Sequence, residues 1–286
     1  MINFNHYSED AFELYKDAVE RKKNPDEKAK LKQIEEKVKS AYEDYGFAFD
    51  RKQVYSLSPS DLFSEEEKRL LEWMYDGDNK IVRTIREWID VNNNRTYLNR
   101  CPYCTLNAAG TTEHILPKSV YKEFSVHALN LIPCCAECNS KKNDNFKDRN
   151  GNPLFLNFYY DILPEKQYLF VNLSFDGKGI VNFNYRLDNV NHIDVRLFNL
   201  ICRHYEKLDL LTRFKTRAIS EYPEIESSLR TFLPKDNVDA FMANLKQKAM
   251  LDASSYGYNY WKVVLYLALA DSNDYKAYLD EIKKRS

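Results

Sequence analysis

Two pairs of cysteines restrict the possible folds of this chain more than any other feature of its sequence. The pairs are Cys101-x-x-Cys104 and Cys135-x-x-Cys138, and residues 105–134 lie between them. In a reducing compartment this spacing indicates a metal site, and zinc prefers four such thiolates in a tetrahedral arrangement. Because four thiolates leave no coordination position for water, the sequence predicts a structural zinc ion whose binding energy contributes to folding.

The other two cysteines are not needed for this site. Cys134 could replace Cys135 as a ligand only by breaking the Cys-x-x-Cys spacing, so we interpret it as a buried apolar thiol. Cys202 falls on the apolar face of a predicted helix, and we expect its side chain to lie in the core.

Composition limits the class of protein. The chain has 286 residues, of which 44% are hydrophobic and 30% charged, which suits one large packed domain or two small ones. Its 42 basic and 43 acidic residues give a net charge of −1, whereas proteins that only coat nucleic acid are strongly basic. The chain has only 7 glycines and no GxGxxG motif, which argues against a glycine-rich nucleotide-binding loop.

Two further patterns concern localisation. The first residues, MINFNHYSED, lack the basic and apolar regions of a secretory signal. The apolar run Val263–Ala270 is far shorter than the roughly 20 residues that cross a bilayer. We therefore expect a cytoplasmic protein with no membrane partner.

Periodicity predicts a mostly helical α+β fold in three regions. Region 1–79 is predicted to be helical, and Ser64-Glu65-Glu66-Glu67 is a capping box at the start of one helix. Region 80–152 contains a further helix and the cysteine pairs, and ends at an Asn-Gly-Asn-Pro turn. Region 153–286 is predicted to hold a β-hairpin with strands 167–175 and 180–185, then helices from about 193 that include 236–252 and 256–282.

Polar residues between and after the cysteine pairs suit phosphodiester hydrolysis. His114 ionises near neutral pH, so its ring can act as a general base on water. Glu113 and Asn139 offer hard oxygen ligands for Mg²⁺ or Mn²⁺, which would neutralise charge on the reacting phosphate. Adjacent residues of a regular strand point to opposite faces, so Glu113 and His114 would need a bend to reach one cleft.

The order of these residues resembles the zinc-stapled form of the HNH (ββα-metal) endonuclease motif. That motif combines the cysteine pairs with an acidic-His pair, an Asn-Leu pair and an Asn or His after the last cysteine, here Glu113-His114, Asn130-Leu131 and Asn139. The resemblance implies a β-hairpin and a helix around one catalytic metal ion, with region 80–152 as the nuclease core. It also implies that His114 is the general base, that Asn130 holds the hairpin loop through backbone hydrogen bonds, and that Glu113 and Asn139 hold the metal.

Two residues depart from the commonest form of the motif. Glu113 stands where Asp is frequent, and Asn139 stands where many members have His. An amide oxygen in place of an imidazole favours Mg²⁺ or Mn²⁺ over zinc at the catalytic position. The wider phrase EHILPKS and the helical C-terminal half are similar to HNH subunits of bacterial anti-phage systems of the Septu type, which pair the nuclease with an ATPase.

Candidate nucleic-acid contacts are basic residues around the motif. Lys142 occupies a motif position, Lys118 lies in Leu-Pro-Lys-Ser, and Arg95 and Arg100 belong to a basic stretch before the first cysteine pair, although ordinary surface charge is the alternative. The predicted substrate is DNA, with RNA open because this chemistry does not need the 2′-hydroxyl. A zinc-stapled binding module without activity is the rival function. Expected partners are an ATPase or other defence-system protein, or a second copy of the chain.

Overall fold

The computed structural model describes the chain apart from residues 2, 78, 94–99, 177–178, 232–236 and 286. The fold is α+β and mostly helical, as the sequence predicts. The chain forms two compact units, one of Asn3–Tyr103 with Asn107–Ile162, the other of Leu163–Ser286 with Met1–Ile2 and Cys104–Leu106. Apart from Met1–Ile2 and Cys104–Leu106, regions 1–79 and 80–152 therefore fall together in one unit. This unit extends past 152 because its last residues pack within it, and the backbone N–H of Phe4 donates to Phe158 O at 3.1 Å.

The first unit begins with helices whose apolar faces are buried. The apolar repeat from Leu31 to Tyr45 is buried, but the chain turns at Ile34, so the repeat spans two helices. The capping box at Ser64 is confirmed, since Ser64 N–H donates to Glu67 Oε2 at 2.6 Å and Glu67 N–H donates to Ser64 Oγ at 3.3 Å. The five helices are α1 Ala11–Arg21, α2 Pro25–Gln33, α3 Glu35–Asp50, α4 Glu65–Gly77 and α5 Asn79–Asn92.

A two-stranded sheet and a short helix follow these helices in the same unit. Strands β1 (Thr111–His114) and β2 (Leu131–Cys134) are antiparallel, and Glu113 faces Ile132 across the sheet. Helix α6 (Ala136–Lys142) begins directly after β2, with Cys135 as its N-cap. The segment between the strands contains short 3₁₀ turns at Lys122–Phe124 and Ala128–Asn130, so it forms a structured loop.

The second unit contains the predicted hairpin. Strands β3 (Leu169–Phe175) and β4 (Ile180–Leu187) are antiparallel, with Val171 opposite Tyr185, and a register shift after Ser174 sets Phe175 opposite Ile180. The helices are α7 Val195–Lys207, α8 Leu210–Arg230, α9 Val238–Tyr256, α10 Trp261–Ala270 and α11 Asn273–Arg285.

Two details of the second unit correct the sequence prediction. The single helix expected over 256–282 is wrong, because α10 ends at Ala270 and the hydroxyl of Ser272 accepts a hydrogen bond from Tyr275 N–H at 3.1 Å, which caps α11. Cys202 is half-exposed, since it lies beside the buried stripe of α7 and not within it. Among the helices of the described residues, none is both long and apolar enough to span a membrane.

Candidate active site

The four predicted zinc ligands meet in one buried cluster. The Sγ atoms of Cys101, Cys104, Cys135 and Cys138 all lie within 4.8 Å of one another. A tetrahedral zinc ion with zinc–sulfur distances of about 2.3 Å requires sulfur–sulfur distances of about 3.8 Å, so small shifts bring all four to the ion. The cluster could therefore hold a structural zinc ion with no open coordination position.

Backbone N–H groups support the sulfur atoms of both pairs. Leu106 N–H donates to Cys104 Sγ at 3.4 Å, and Cys138 N–H donates to Cys135 Sγ at 3.4 Å. Hydrogen bonds to sulfur stabilise the thiolate form that binds metal. Because Cys135 is also the N-cap of α6, the second cysteine pair fixes where this helix starts relative to β2.

Cys134 lies beside the cluster without belonging to the four. Its side chain is buried and its Sγ is 3.8 Å from that of Cys101. A hydrogen bond with Cys101 is the main cause that raises the pKa of the Cys134 thiol above its usual value. The burial of its side chain agrees with the interpretation of Cys134 as a buried thiol.

Glu113 faces α6 and forms a buried ion pair with its last residue. Lys142 Nζ donates to Glu113 Oε1 at 2.9 Å and to the backbone oxygen of His114 at 2.7 Å. The Lys142 side chain is 1% exposed and that of Glu113 is 6% exposed. The expected contact between Lys142 and a nucleic-acid phosphate therefore does not fit this structure, because the last turn of α6 packs its ammonium group against β1.

Burial and the ion pair shift the pKa of the Glu113 carboxyl group in opposite directions. Burial raises the pKa of Glu113, and the ammonium of Lys142 partly offsets this increase. A carboxylate removed from water is stable only while it is paired or bound to a metal ion. The carboxylate form of Glu113 therefore needs a cation beside it, and Lys142 supplies one.

Asn139 lies one turn before Lys142 on the same face of α6. Its Nδ2 donates to Thr112 O at 3.2 Å and to Thr111 Oγ1 at 3.3 Å. These two acceptors fix the amide orientation, because a backbone carbonyl can only accept. Oδ1 of Asn139 makes no hydrogen bond to the residues that the structure describes, and the side chain is half-exposed. Glu113 and Asn139 thus lie on facing surfaces of β1 and α6.

His114 points to the opposite face of β1. Its Nε2 lies 2.9 Å from Ser125 O, and its ring packs edge-on against Tyr75 with centroids 4.5 Å apart. Because a carbonyl only accepts, Nε2 carries the proton and the lone pair of the neutral ring is on Nδ1. Burial lowers the pKa of His114 to about 4. No bulge interrupts the pairing of β1 with β2, so Glu113 and His114 diverge as in a regular strand.

Asn130 connects both ends of the loop between the strands. Its Oδ1 accepts from Leu116 N–H at 2.8 Å, and its Nδ2 donates to Leu116 O at 3.0 Å and to Phe124 O at 3.1 Å. Tyr45 of α3 donates to the same Oδ1 at 3.2 Å. The side chain is fully buried, so these contacts fix the loop that follows His114.

An open cleft of about 660 Å³ borders Asn139. Arg83 and Arg86 of α5 both line this cleft. Arg86 also donates hydrogen bonds to Thr111 O at 2.8 Å and to Ala109 O. Neither arginine belongs to a motif, and neither does Tyr75, so the sequence alone gives no signal that they line this cleft. The remaining lining residues are Tyr75, Val82, Glu87, Asp90, Gly110, Thr111 and Thr112.

Lys118 and Arg100 do not line this cleft. Lys118 forms an ion pair with Asp76 at 2.7 Å, and its Nζ lies 5.1 Å from the centroid of the Tyr75 ring. Arg100 is half-buried. Arg95 lies outside the described residues.

The chain is similar to two known proteins. It is 25% identical over 253 residues to protein ea31 of Escherichia phage lambda, with 80% of each chain covered. It is 31% identical over 87 residues to the Septu protein PtuB of Bacillus thuringiensis, which covers 30% of this chain and 34% of that protein. No family model matches the chain, and no solved structure matches it. The similarity to a Septu protein and the four-cysteine cluster together fit a zinc-stapled nuclease.

Loss of the buried ammonium group has a measurable consequence for stability. Lys142→Met is expected to lower the free energy of unfolding of the zinc-loaded protein by about 3–5 kcal/mol, because it leaves the Glu113 carboxylate buried without a partner. Urea denaturation followed by tryptophan fluorescence measures the change.

The neighbouring lysine gives a matched control. Lys141 is exposed, so Lys141→Met should change stability by less than about 0.5 kcal/mol. Adding Glu113→Gln to Lys142→Met should recover much of the lost stability, because no unpaired charge then stays buried. Equal costs for the two lysine variants would show that the ion pair does not form in solution.

Proposed function

We propose that this chain is a metal-dependent HNH endonuclease that hydrolyses phosphodiester bonds of DNA. The observation that carries the proposal is the placement of Glu113 against the face of α6 that holds Asn139, directly before His114 in β1. A zinc scaffold alone requires only the four cysteines. Metal-assisted hydrolysis needs in addition oxygen ligands on two facing elements and an oriented imidazole, and here the imidazole lies on the other face of the strand that carries Glu113.

His114 is proposed to act as the general base. Ser125 O holds the Nε2 proton, so Nδ1 is the nitrogen that takes the proton from the attacking water. Burial lowers the pKa of His114 to about 4, so the ring is neutral at pH 7 and its lone pair is available. Asn130 supports this role by fixing the loop that supplies Ser125.

The catalytic metal is proposed to bind between β1 and α6. Glu113 and Asn139 supply a carboxylate and an amide oxygen, which are ligands that Mg²⁺ and Mn²⁺ accept. When bound, the ion would neutralise charge that develops on the phosphate oxygens. The donor set fits such an ion, although Glu113 must share its carboxylate with Lys142. Zinc in the cysteine cluster has no open position and serves folding only.

One observation favours the rival function, a zinc-stapled binding module without activity. Lys142 already supplies the positive charge that Glu113 requires, at 2.9 Å. In such a module the ion pair would replace the catalytic metal, and the fold would present the cleft only for binding. The two functions differ in whether Mg²⁺ changes the behaviour of the folded protein.

A role in anti-phage defence is the biological part of the proposal. It rests on the similarity to the Septu protein PtuB, which spans about one third of each chain. The similarity that covers most of the chain is to a phage protein, ea31. In a defence system, an ATPase or another component is the proposed partner, and a second copy of this chain is the alternative. A partner would compensate for the net charge of −1, which predicts weak DNA binding by the chain alone.

A cleavage assay tests the proposed activity. Zinc-loaded protein should nick or linearise supercoiled plasmid in Mg²⁺ or Mn²⁺, and chelation of these ions should stop cutting while the circular dichroism spectrum and zinc content stay unchanged. The reason is that the fold depends on the cysteine cluster and the chemistry depends on Glu113, His114 and Asn139.

Structured RNA serves as the second substrate in the same assay. Cutting of RNA without DNA would support a ribonuclease. Absence of cutting of both substrates, in every divalent metal and with the proteins encoded beside this chain added, would reject the enzyme and favour the binding module.

A further inference from the structure

The cleft beside Asn139 is lined by four charged residues from one face of α5. Arg83, Arg86, Glu87 and Asp90 follow each other at three-, one- and three-residue intervals, which places them along the same side of the helix. Along α5 from its N-terminus, the two arginines precede the two carboxylates. The cleft therefore has a basic end and an acidic end, and the direction of α5 relative to β1 decides which end lies near Asn139.

Hydrogen bonds from α4 and α5 fix this direction. Tyr75, near the end of α4, donates to Thr112 O at 3.3 Å, whereas Arg86, further along the chain, donates to Thr111 O and Ala109 O. The later residue, Arg86, therefore contacts earlier residues of the β1 segment than Tyr75 does, so the two segments run in opposite directions. The start of α5 lies toward Thr112 and Asn139, and its later turns lie toward Ala109.

Arg83 therefore stands at the end of the cleft near Asn139. It precedes Arg86 by about 4.5 Å along the helix axis, at 1.5 Å per residue. Its side chain is exposed and makes no ion pair or hydrogen bond within the described part of the chain. Arg86, in contrast, uses its guanidinium group on two backbone carbonyls. Arg83 is a cation that remains available to a ligand.

Thr112 is a second residue to consider at this end of the cleft. It lines the cleft, its side chain is mostly buried, and its Oγ1 has no hydrogen-bond partner among the described residues. Buried polar groups in native proteins almost always have a partner, so an unpaired hydroxyl requires an explanation. An oxyanion held by Arg83 could become this partner only if the Thr112 side chain turned toward the cleft, because Oγ1 is closed to solvent.

The acidic end disfavours the same ligand. Glu87 and Asp90 lie about 6 Å and 10 Å beyond Arg83 along the helix axis, and both are exposed. Carboxylates repel a phosphate, so an anion that enters the cleft is held at the Arg83 end.

We infer that the cleft binds one backbone phosphate of the nucleic acid at its Arg83 end, beside Asn139, and that Glu87 and Asp90 exclude a phosphate from the other end. The inference rests on the proposed function, since it places that phosphate next to the residues proposed to cut it. The guanidinium group of Arg83 binds two phosphate oxygens through its paired N–H groups.

Fluorescence anisotropy of a fluorescein-labelled DNA duplex tests this inference. The full zinc-loaded chain is titrated in a magnesium chelator, which prevents cutting, at several NaCl concentrations. Arg83→Gln should weaken binding about tenfold, as expected for loss of a hydrogen bond to a charged group. The slope of log affinity against log salt should fall by about 0.9, because one phosphate contact is lost.

Two further variants test whether the acidic residues weaken DNA binding and how much the loss of any surface arginine changes the affinity. Glu87→Gln with Asp90→Asn should strengthen binding about threefold, because the repulsion of phosphate is removed. Arg149→Gln removes the same charge from an exposed residue outside the cleft lining, and its affinity should stay within about twofold of wild type. Zinc content and circular dichroism confirm that each variant is folded.

The outcomes separate this inference from the proposed enzyme. Binding that depends on Arg83 in a chain that never cuts would keep the inference and reject the endonuclease. Cutting by wild type together with unchanged binding and salt slope in Arg83→Gln would overturn the inference and keep the enzyme. The inference would also be overturned if neutralising Glu87 and Asp90 weakened DNA binding. Absence of DNA binding by the wild-type chain would overturn it as well.

Discussion

Cys101→Ser is expected to abolish zinc binding and unfold the β1–β2–α6 segment. The four sulfur atoms lie within 4.8 Å of one another, so each is needed to complete a tetrahedral site. Structural zinc sites contribute about 10–16 kcal/mol of apparent binding energy, which equals or exceeds the stability of a typical domain. Metal analysis of the purified protein and hydrogen exchange of residues 101–142 measure the two effects.

Cys134 offers a matched control within the same segment. It is as buried as the ligands and adjacent to Cys135, but it lies outside the four-sulfur cluster. Cys134→Ala should keep one zinc ion per chain and lose only the small packing contribution of a buried thiol. Zinc loss in both variants would show that the ligand set is different, and a folded Cys101→Ser protein with full zinc content would remove the structural role of the cluster.

Local signals explain which parts of the structure could be predicted from the sequence. The capping box at Ser64 and the hairpin of strands β3 and β4 depend on residues close together in the chain, and both are found. The meeting of the two cysteine pairs spans a longer interval, but thiolate spacing is so specific for zinc that it indicates a long-range contact.

The orientation of α6 shows why other parts could not be predicted. The motif places Lys142 three residues after Asn139, so both must lie on one face of the helix. Whether that face meets solvent or β1 depends on packing of a seven-residue helix, for which the sequence has no periodic signal. The structure turns it toward β1, and the expected phosphate contact becomes an ion pair with Glu113.

The cleft was beyond prediction for a different reason. Its walls come from α4, α5, β1 and α6, which are separated in the chain by the loop and by the first cysteine pair. Composition identified a basic stretch over 80–100 but could not show that Arg86 binds backbone carbonyls while Arg83 does not. Only the tertiary arrangement distinguishes the arginine that supports the fold from the one available to a ligand.

His114→Gln is expected to lower the cleavage rate by about 10²–10⁴-fold, the usual contribution of a general base. Glutamine suits this test because its amide nitrogen can keep the hydrogen bond to Ser125 O, while the amide offers no basic nitrogen in place of Nδ1. The fold and the affinity for DNA should therefore stay close to wild type. Single-turnover cutting of a labelled duplex in Mg²⁺ measures the rate without interference from product release.

His127→Gln is the matched control, because His127 is also a buried histidine whose pKa is lowered by burial, to about 3. Its ring packs between Tyr42 and Tyr45, with centroids at 4.3 and 4.4 Å, and its Nδ1 accepts from Leu129 N–H. This variant should lose stability but cut at the wild-type rate per folded molecule, since the His127 ring serves packing and does not line the cleft beside Asn139. A wild-type rate in His114→Gln would assign the base to another group, and equal rate losses in both variants would trace the defect to folding and not to proton transfer.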